Sequence, residues 1–275
     1  GIEPDPSTKE VLRYREAMLY GTHFIKEKGF LSTNAIVSIQ KILEKNNAGI
    51  RKLPGTALRN AATNKVIYTP PDDYNTILRL MKNLENYLNE QDDISPLIKM
   101  AIQHYQFESI HPFYDGNGRT GRIINILHIM LNDLLTNPIL YLSEYIIKNK
   151  SDYYRLLQEV RTKGNWEEWV LYILKGVDAT SRETIIQIKA IQNLFLEIQD
   201  KVKKKATKVY SKELIEILFE HPYCKSEILT TRMKISRITA AKYLKLLEGI
   251  GVLKAKQVWK ETLYINTKLF DLLKK

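Results

Sequence analysis

From Phe107 the chain reads Phe-Glu-Ser-Ile-His111-Pro112-Phe113-Tyr114-Asp115-Gly116-Asn117-Gly118-Arg119-Thr120-Gly121-Arg122, a run dense in groups that can do chemistry. Glycines at 116 and 118, ahead of an apolar helical pattern, free the backbone to turn N–H groups toward a ligand. The unpaired donors of a helix's first turn, with its dipole, favour an anion there, so the run reads as a phosphate cradle. Arg119 and Arg122 are three apart, share a helix face and can each fork onto phosphate oxygens, which suits a polyphosphate. Asp115 adds one hard carboxylate of the kind that holds magnesium alongside phosphates and waters. His111 is an imidazole able to take a proton from an incoming hydroxyl. ATP with Mg2+ is the economical ligand, and transfer of a phosphorus group to a hydroxyl is the implied reaction. The spacing leaves open which phosphorus is attacked: α gives an AMP ester, γ a phosphate ester.

Each residue also has a plainer reading. Asp115 alone is a helix cap, Arg119 and Arg122 alone are surface charges, and His111 alone is a packing residue; what these readings leave unexplained is their meeting in twelve residues. Gly116-x-Gly118-x-x-Gly121 formally fits the dinucleotide fingerprint, but that fingerprint follows a β-strand, and here Ser95-Pro96 starts a helix instead. No GxxxxGK[ST] run is present.

The elements that must carry this run are mostly helical by apolar periodicity: Val11 to Lys28, Asn34 to Asn46, Tyr74 to Glu90, Ser95 to Ile110, Gly118 to Leu135, Ser143 to Arg161, and Glu167 to Lys203 with breaks. Ser95, Asn34 and Ser143 are expected caps, with Gly164 and Gly251 as stops. One stretch differs. Thr56 to Asn60 and Val66 to Thr69, separated by Ala61 to Lys65 and closed by Pro70-Pro71, read as a β-hairpin laid on the helical body. The fold class expected is therefore mainly α.

With 275 residues and 44% apolar content, the chain can build about two packed domains. A single cysteine, Cys224, excludes an internal disulfide, and no Cys/His cluster has zinc spacing. Gly1 to Glu10 lacks an apolar signal core, and the most apolar segment, Ile123 to Leu135, is interrupted by Asn125, His128, Asn132 and Asp133. A soluble, cytoplasmic protein without a membrane partner is expected. The histidines at 23, 104, 128 and 221 have no partner pattern and read as packing or surface residues.

His-Pro-Phe-x-Asp-Gly-Asn-Gly-Arg-x-x-Arg, complete from His111 to Arg122, resembles the signature of the Fic family. The likeness takes in Phe107-Glu108, the hairpin, and Asn149-Lys150-x-x-Tyr153-Tyr154, covering roughly residues 5 to 190. It implies a protein adenylyltransferase that moves AMP from ATP to a Ser, Thr or Tyr hydroxyl of a target protein, with His111 as base and Asp115 holding magnesium. Gly116, Asn117 and Gly118 would form the α/β-phosphate cradle, Arg119 and Arg122 would hold the outer phosphates, and Phe113 would anchor the loop. The hairpin Thr56 to Thr69 would be the flap that binds a target segment by strand addition. Asn149 and Tyr153, four apart on one helical face, are the candidates for the adenine end. The family's brake, Ser/Thr-x-x-x-Glu-Gly/Asn on a helix whose glutamate pairs with the second motif arginine, is not found in this sequence. The same site moving UMP, phosphate or phosphocholine, or removing AMP, is the nearer alternative.

The rest of the chain is basic. From Lys205 to Lys275 there are 15 Lys/Arg against 7 Asp/Glu, most of the net +11. Helices at Ser211 to Glu220, Ser226 to Met233 and Ser236 to Leu247, then strands at Val252 to Ala255 and Thr262 to Ile265, follow the order of a winged helix-turn-helix. Arg237, Lys242 and Lys245 on its third helix, with Lys254, Lys256 and Lys260 on the wing, point to DNA; protein docking or a homodimer is the alternative. A nucleic-acid-binding regulator with a nucleotide-sensing pocket is the reading from a different class. The expected organisation is a catalytic domain over 1–200, a basic linker over 201–208 and a winged-helix domain over 209–275.

Overall fold

A computed structural model describes residues 5–59, 64, 66–258 and 261–274. The chain divides into two compact units, Gly1–Ser181 and Arg182–Lys275. The first is helical. Helix α1 (Pro6–Lys28) starts with Pro6 behind Asp5, whose Oδ1 accepts from the Thr8 N–H at 3.1 Å, and ends at Gly29 in the left-handed region. Helix α2 (Thr33–Glu44) is capped by Ser32, two residues earlier than the expected Asn34, because the Ser32 hydroxyl accepts from the Ala35 N–H. After it come β1 (Leu58–Arg59), β2 (Val66–Tyr68), α3 (Tyr74–Asn89), α4 (Pro96–Ile110) and α5 (Asn117–Leu131). Strands β1 and β2 pair antiparallel with Leu58 opposite Tyr68; the expected turn Ala61 to Lys65 lies, Asn64 excepted, outside the described residues.

Helix α5 is buried almost all round, as a central helix must be, and α1, α2 and α4 pack on it. Ile36, Ile39 and Leu43 of α2, Ile77, Met81 and Leu84 of α3, and Met100 and Phe107 of α4 share one core with Ile123, Ile124 and Leu127 of α5. The single helix expected over Ser143 to Arg161 is instead two, α6 (Leu142–Lys148) and α7 (Lys150–Lys163), broken at Asn149, where the backbone leaves the helical region. Tyr141 rather than Ser143 caps α6, and Gly164 stops α7 as expected.

Helix α8 (Trp166–Lys205) is continuous where breaks were expected. Lys201 to Lys208 is consequently not a linker. Its lysines belong to the last turns of α8 and a following 3₁₀ turn (Thr207–Val209), and Val202, Ala206 and Val209 are core residues of the second unit. The periodic apolar positions inside a basic run are what keep it helical and packed.

The second unit continues through α9 (Lys212–Glu220), β3 (Tyr223–Cys224), α10 (Ser226–Met233), α11 (Arg237–Gly249), β4 (Lys254–Val258), β5 (Glu261–Ile265) and α12 (Thr267–Leu273). Its sheet runs β3-β5-β4, all antiparallel, with Ala255 opposite Tyr264. Helices α9 to α11 followed by the β4–β5 hairpin give the winged-helix order. Strand β3 and helix α12 were not expected; β3 is two residues long and has no alternation to detect. Cys224 is buried, and burial pushes its thiol up to about 12, so it is an inert core group. No helix among the described residues is long and apolar enough to cross a membrane.

Candidate active site

Helix α4 ends at His111, whose N–H donates to the Phe107 carbonyl at 2.9 Å while its own backbone sits in the left-handed region at φ 48°, ψ 59°. For a residue with a Cβ this conformation costs on the order of 1 kcal/mol, and it persists only where the surroundings hold it. Phe113 supplies part of that hold. Its ring is fully buried against Phe107, centroids 6.3 Å apart. Asn117 supplies another: its side chain accepts from the Phe113 N–H at 2.9 Å and donates to the Phe113 carbonyl at 2.8 Å. The Asn117 amide is thus spent on closing the loop, which leaves its backbone N–H for the cradle. Tyr114 pins the outer side by accepting from the Lys52 and Leu53 N–H groups at 2.9 and 3.0 Å.

The loop delivers Gly116 as the N-cap of α5 at φ 81°. A Cβ there would be strained by φ and would lie 2.5 Å from Glu44 Oε1, so only glycine fits. An open cleft of about 270 Å³ results, lined by His111, Tyr114, Asp115, Gly116, Asn117, Gly118, Arg119 and Arg122. All the motif's candidate polar residues therefore meet in one place. The Asp115 carboxylate is largely exposed at the cleft mouth, its Oδ1 taking the Gly116 N–H at 2.6 Å. Among the described residues no three His, Cys, Asp or Glu side chains gather into a metal cluster.

The two arginines differ. Arg119 is ion-paired to Glu10 of α1 at 2.6 Å and to Glu44 of α2 at 2.7 Å, with Asp115 at 3.9 Å. That engagement removes most of its forks from the expected role on outer phosphates. Arg122 lies against the first turn of α5, with its Nη1 3.2 Å from where a Gly118 Cβ would be. Beside it Glu108 is buried, and desolvation raises its carboxyl to about 7 against the pull of Arg122 and Arg161.

His111 is held neutral. Desolvation first, then the Arg51 guanidinium and more weakly Arg161, lower its pKa from 6.5 to about 4, while the Glu108 backbone carbonyl and Asp115 pull the other way. A lowered pKa in a base means the acceptor form survives to lower pH. If the imidazole is the base, catalysis should stay level as pH falls through 6.5 and decline only near about 4, whereas an unperturbed histidine would lose half its neutral form at 6.5. A pH profile of the transfer rate, on protein shown to stay folded, checks this; a limb centred near 6.5 would contradict it.

Neither adenine candidate lines this cleft. Asn149 sits at the α6–α7 junction, where its side chain donates to the Tyr145 carbonyl at 2.9 Å. Tyr153 is buried, its hydroxyl 2.9 Å from His104 Nε2 and its ring among Tyr154, Trp169 and Tyr172. Asn149 is the N-cap of α7 and its carbonyl accepts from the Tyr153 N–H at 3.1 Å, so the four-residue spacing holds across the first turn although the helix is broken ahead of it.

Profiles of known families match two segments, the Fic/DOC family over residues 30–129 and the C-terminal domain of SoFic-like protein adenylyltransferases over 194–269. The chain carries a Fic/DOC family domain. Among relatives of the chain, a probable protein adenylyltransferase of Aquifex aeolicus is 27% identical over 194 residues, 68% of this chain and 53% of that protein. Protein adenylyltransferase fic-1 of Caenorhabditis elegans is 29% identical over 126 residues, 45% of this chain and 23% of that protein. The chain thus spans only about half, or about a quarter, of the relatives it matches. A crystal structure of a Fic family protein from Desulfovibrio desulfuricans G20 shares the fold at TM-score 0.55 and 17% identity, over 96% of this chain and 77% of that one.

Sequence reasoning about the Fic site passed over Arg51, Glu10, Glu44 and Arg161. Each lies far along the chain from the motif, and none carries a spacing signal; only the packing of α1, α2, α7 and the segment after α2 around the loop brings them in.

Proposed function

We propose that the chain is a protein adenylyltransferase that moves AMP from ATP to a hydroxyl of a protein target. The observation that carries the reading is the neutral, left-handed His111 at the edge of a cleft floored by the first turn of α5. Two relatives named as adenylyltransferases agree with it. The backbone N–H groups of Asn117, Gly118 and Arg119 have no carbonyl within α5 and would receive phosphate oxygens. Arg122, on the same turn, would neutralise charge on the departing pyrophosphate. Asp115, exposed beside the cradle, fits one carboxylate ligand of Mg2+, which when bound would offset the charge of the phosphates.

His111 would accept the proton of the target hydroxyl as its oxygen forms a bond to the α-phosphorus and the bond to the β-phosphate oxygen breaks, releasing pyrophosphate. A base this weak stays unprotonated in the resting protein, so bond formation must drive the proton onto it. Strand β2, with Val66 and Ile67 exposed, would present an edge to the target's backbone. Incubation with ATP labelled at α and, in parallel, at γ tests the reaction: the α label should enter protein and the γ label should not. Entry of the γ label would instead make the enzyme a kinase.

The second unit supports a further role, binding duplex DNA. Arg237, Lys242 and Lys245 on α11 and Lys254 and Lys256 on β4 are all exposed; Lys260 lies outside the described residues. Five phosphate contacts would give a slope of about −4 to −5 in log affinity against log salt. A flat salt titration would point to a protein partner or a second copy of the chain instead.

A further inference from the structure

Arg51 belongs to no motif, yet it is among the largest fully buried side chains of the protein. A guanidinium keeps its charge and is costly to bury unless its donors are used. Here Nη1 is buried with no partner among the described residues, while Nε and Nη2 are used on the histidine loop and its neighbour Pro71. Nε donates to the His111 carbonyl at 2.9 Å, Nη2 donates to the Ile110 carbonyl at 3.4 Å and to the Pro71 carbonyl, and the backbone N–H donates to the Pro112 carbonyl at 2.9 Å. Three consecutive carbonyls thus end on one residue. They lie at the C-terminal end of α4, where carbonyls lack helical partners and the dipole favours a cation. Pro71 follows the hairpin, so the same guanidinium joins the base of β2 to the loop.

We infer that Arg51 is a positioning residue for His111: by binding the carbonyls on either side of the left-handed turn it fixes the direction in which the imidazole meets the cradle. The inference rests on His111 as the base. It also explains why a charged residue is tolerated where an apolar one of similar volume would pack, since the carbonyls would then be left buried without donors.

The test uses Arg51→Gln and Arg51→Lys in the full chain. In Arg51→Gln, transfer at saturating ATP should fall about 100-fold, the scale of a misplacement near 1 Å, with ATP affinity within about threefold of wild type. Arg51→Lys keeps the charge on a single donating nitrogen and should recover about tenfold of that loss; it carries the test if the glutamine variant does not fold. In a His111→Ala background, Arg51→Gln should cost nothing more, because a residue acting through another has no effect once that other is gone. Wild-type transfer by Arg51→Gln, parallel loss of ATP binding and transfer, or a further full loss on His111→Ala would each overturn the inference. If the wild-type chain transfers no AMP, it is the base reading that fails, and Arg51 is judged from the ring Cε1–H NMR signal of His111. That signal should move in both variants while those of His104 and His128 stay; an unmoved signal overturns the inference.

Discussion

His111→Ala is expected to lower AMP transfer by roughly 100- to 10,000-fold, the usual worth of a positioned general base, while leaving ATP affinity nearly unchanged. The separation follows from where the groups sit. The proposed phosphate donors are the backbone N–H groups of α5, whose N-cap is Gly116, and Arg122, whereas the imidazole stands on the other side of the loop at the end of α4. Removing it takes away the proton acceptor and none of the anion contacts. It also relieves no buried charge, since the ring is neutral at working pH. Transfer should be measured at saturating ATP and affinity by calorimetry on the same preparation. A variant that still transfers at a tenth of the wild-type rate would remove the base assignment, and one that loses ATP would show that the ring holds the nucleotide.

Phe113→Ala should be the most damaging single change for the fold around the site. The ring is fully excluded from solvent and packs on Phe107 in the central core, so truncation leaves a cavity and costs about 3–5 kcal/mol. A second effect is local. The Phe113 backbone is clasped by both ends of the Asn117 amide, and that clasp sets the glycine turn at the start of α5. Loss of the ring should therefore weaken ATP binding even below the melting transition. Chemical denaturation and nucleotide titration together check this; a loss under 1 kcal/mol on the scale for buried aromatics would mean the ring is not the loop's anchor.

How far the sequence carried can be seen residue by residue. The cleft from His111 to Arg122 was legible because its groups are consecutive and a glycine-capped helix start brings consecutive residues together. Helices α3, α4 and α10 were legible from periodicity and from punctuation such as Ser95-Pro96. Asn149 falls at the junction of α6 and α7, where one helix was expected, because periodicity alone does not show where the backbone leaves the helical region. The Lys201 to Lys208 run misled because its charge drew more weight than Val202, Ala206 and Val209 beneath it. Arg119 illustrates the remaining limit. The motif shows that an arginine is there, but Glu10 and Glu44, which occupy it, reach it only through the packing of α1 and α2 against α5.

The central claim is that this cleft turns the α-phosphorus of ATP toward the imidazole of His111. A crystal structure with a non-hydrolysable ATP analogue and magnesium measures that directly. The account predicts phosphate oxygens on the N–H groups of the first turn of α5, the α-phosphorus facing the ring across a gap that admits one hydroxyl, and pyrophosphate oxygens on Arg122. A triphosphate lying in reverse, with its γ-phosphorus at His111, or a nucleotide bound elsewhere on the chain, would contradict it.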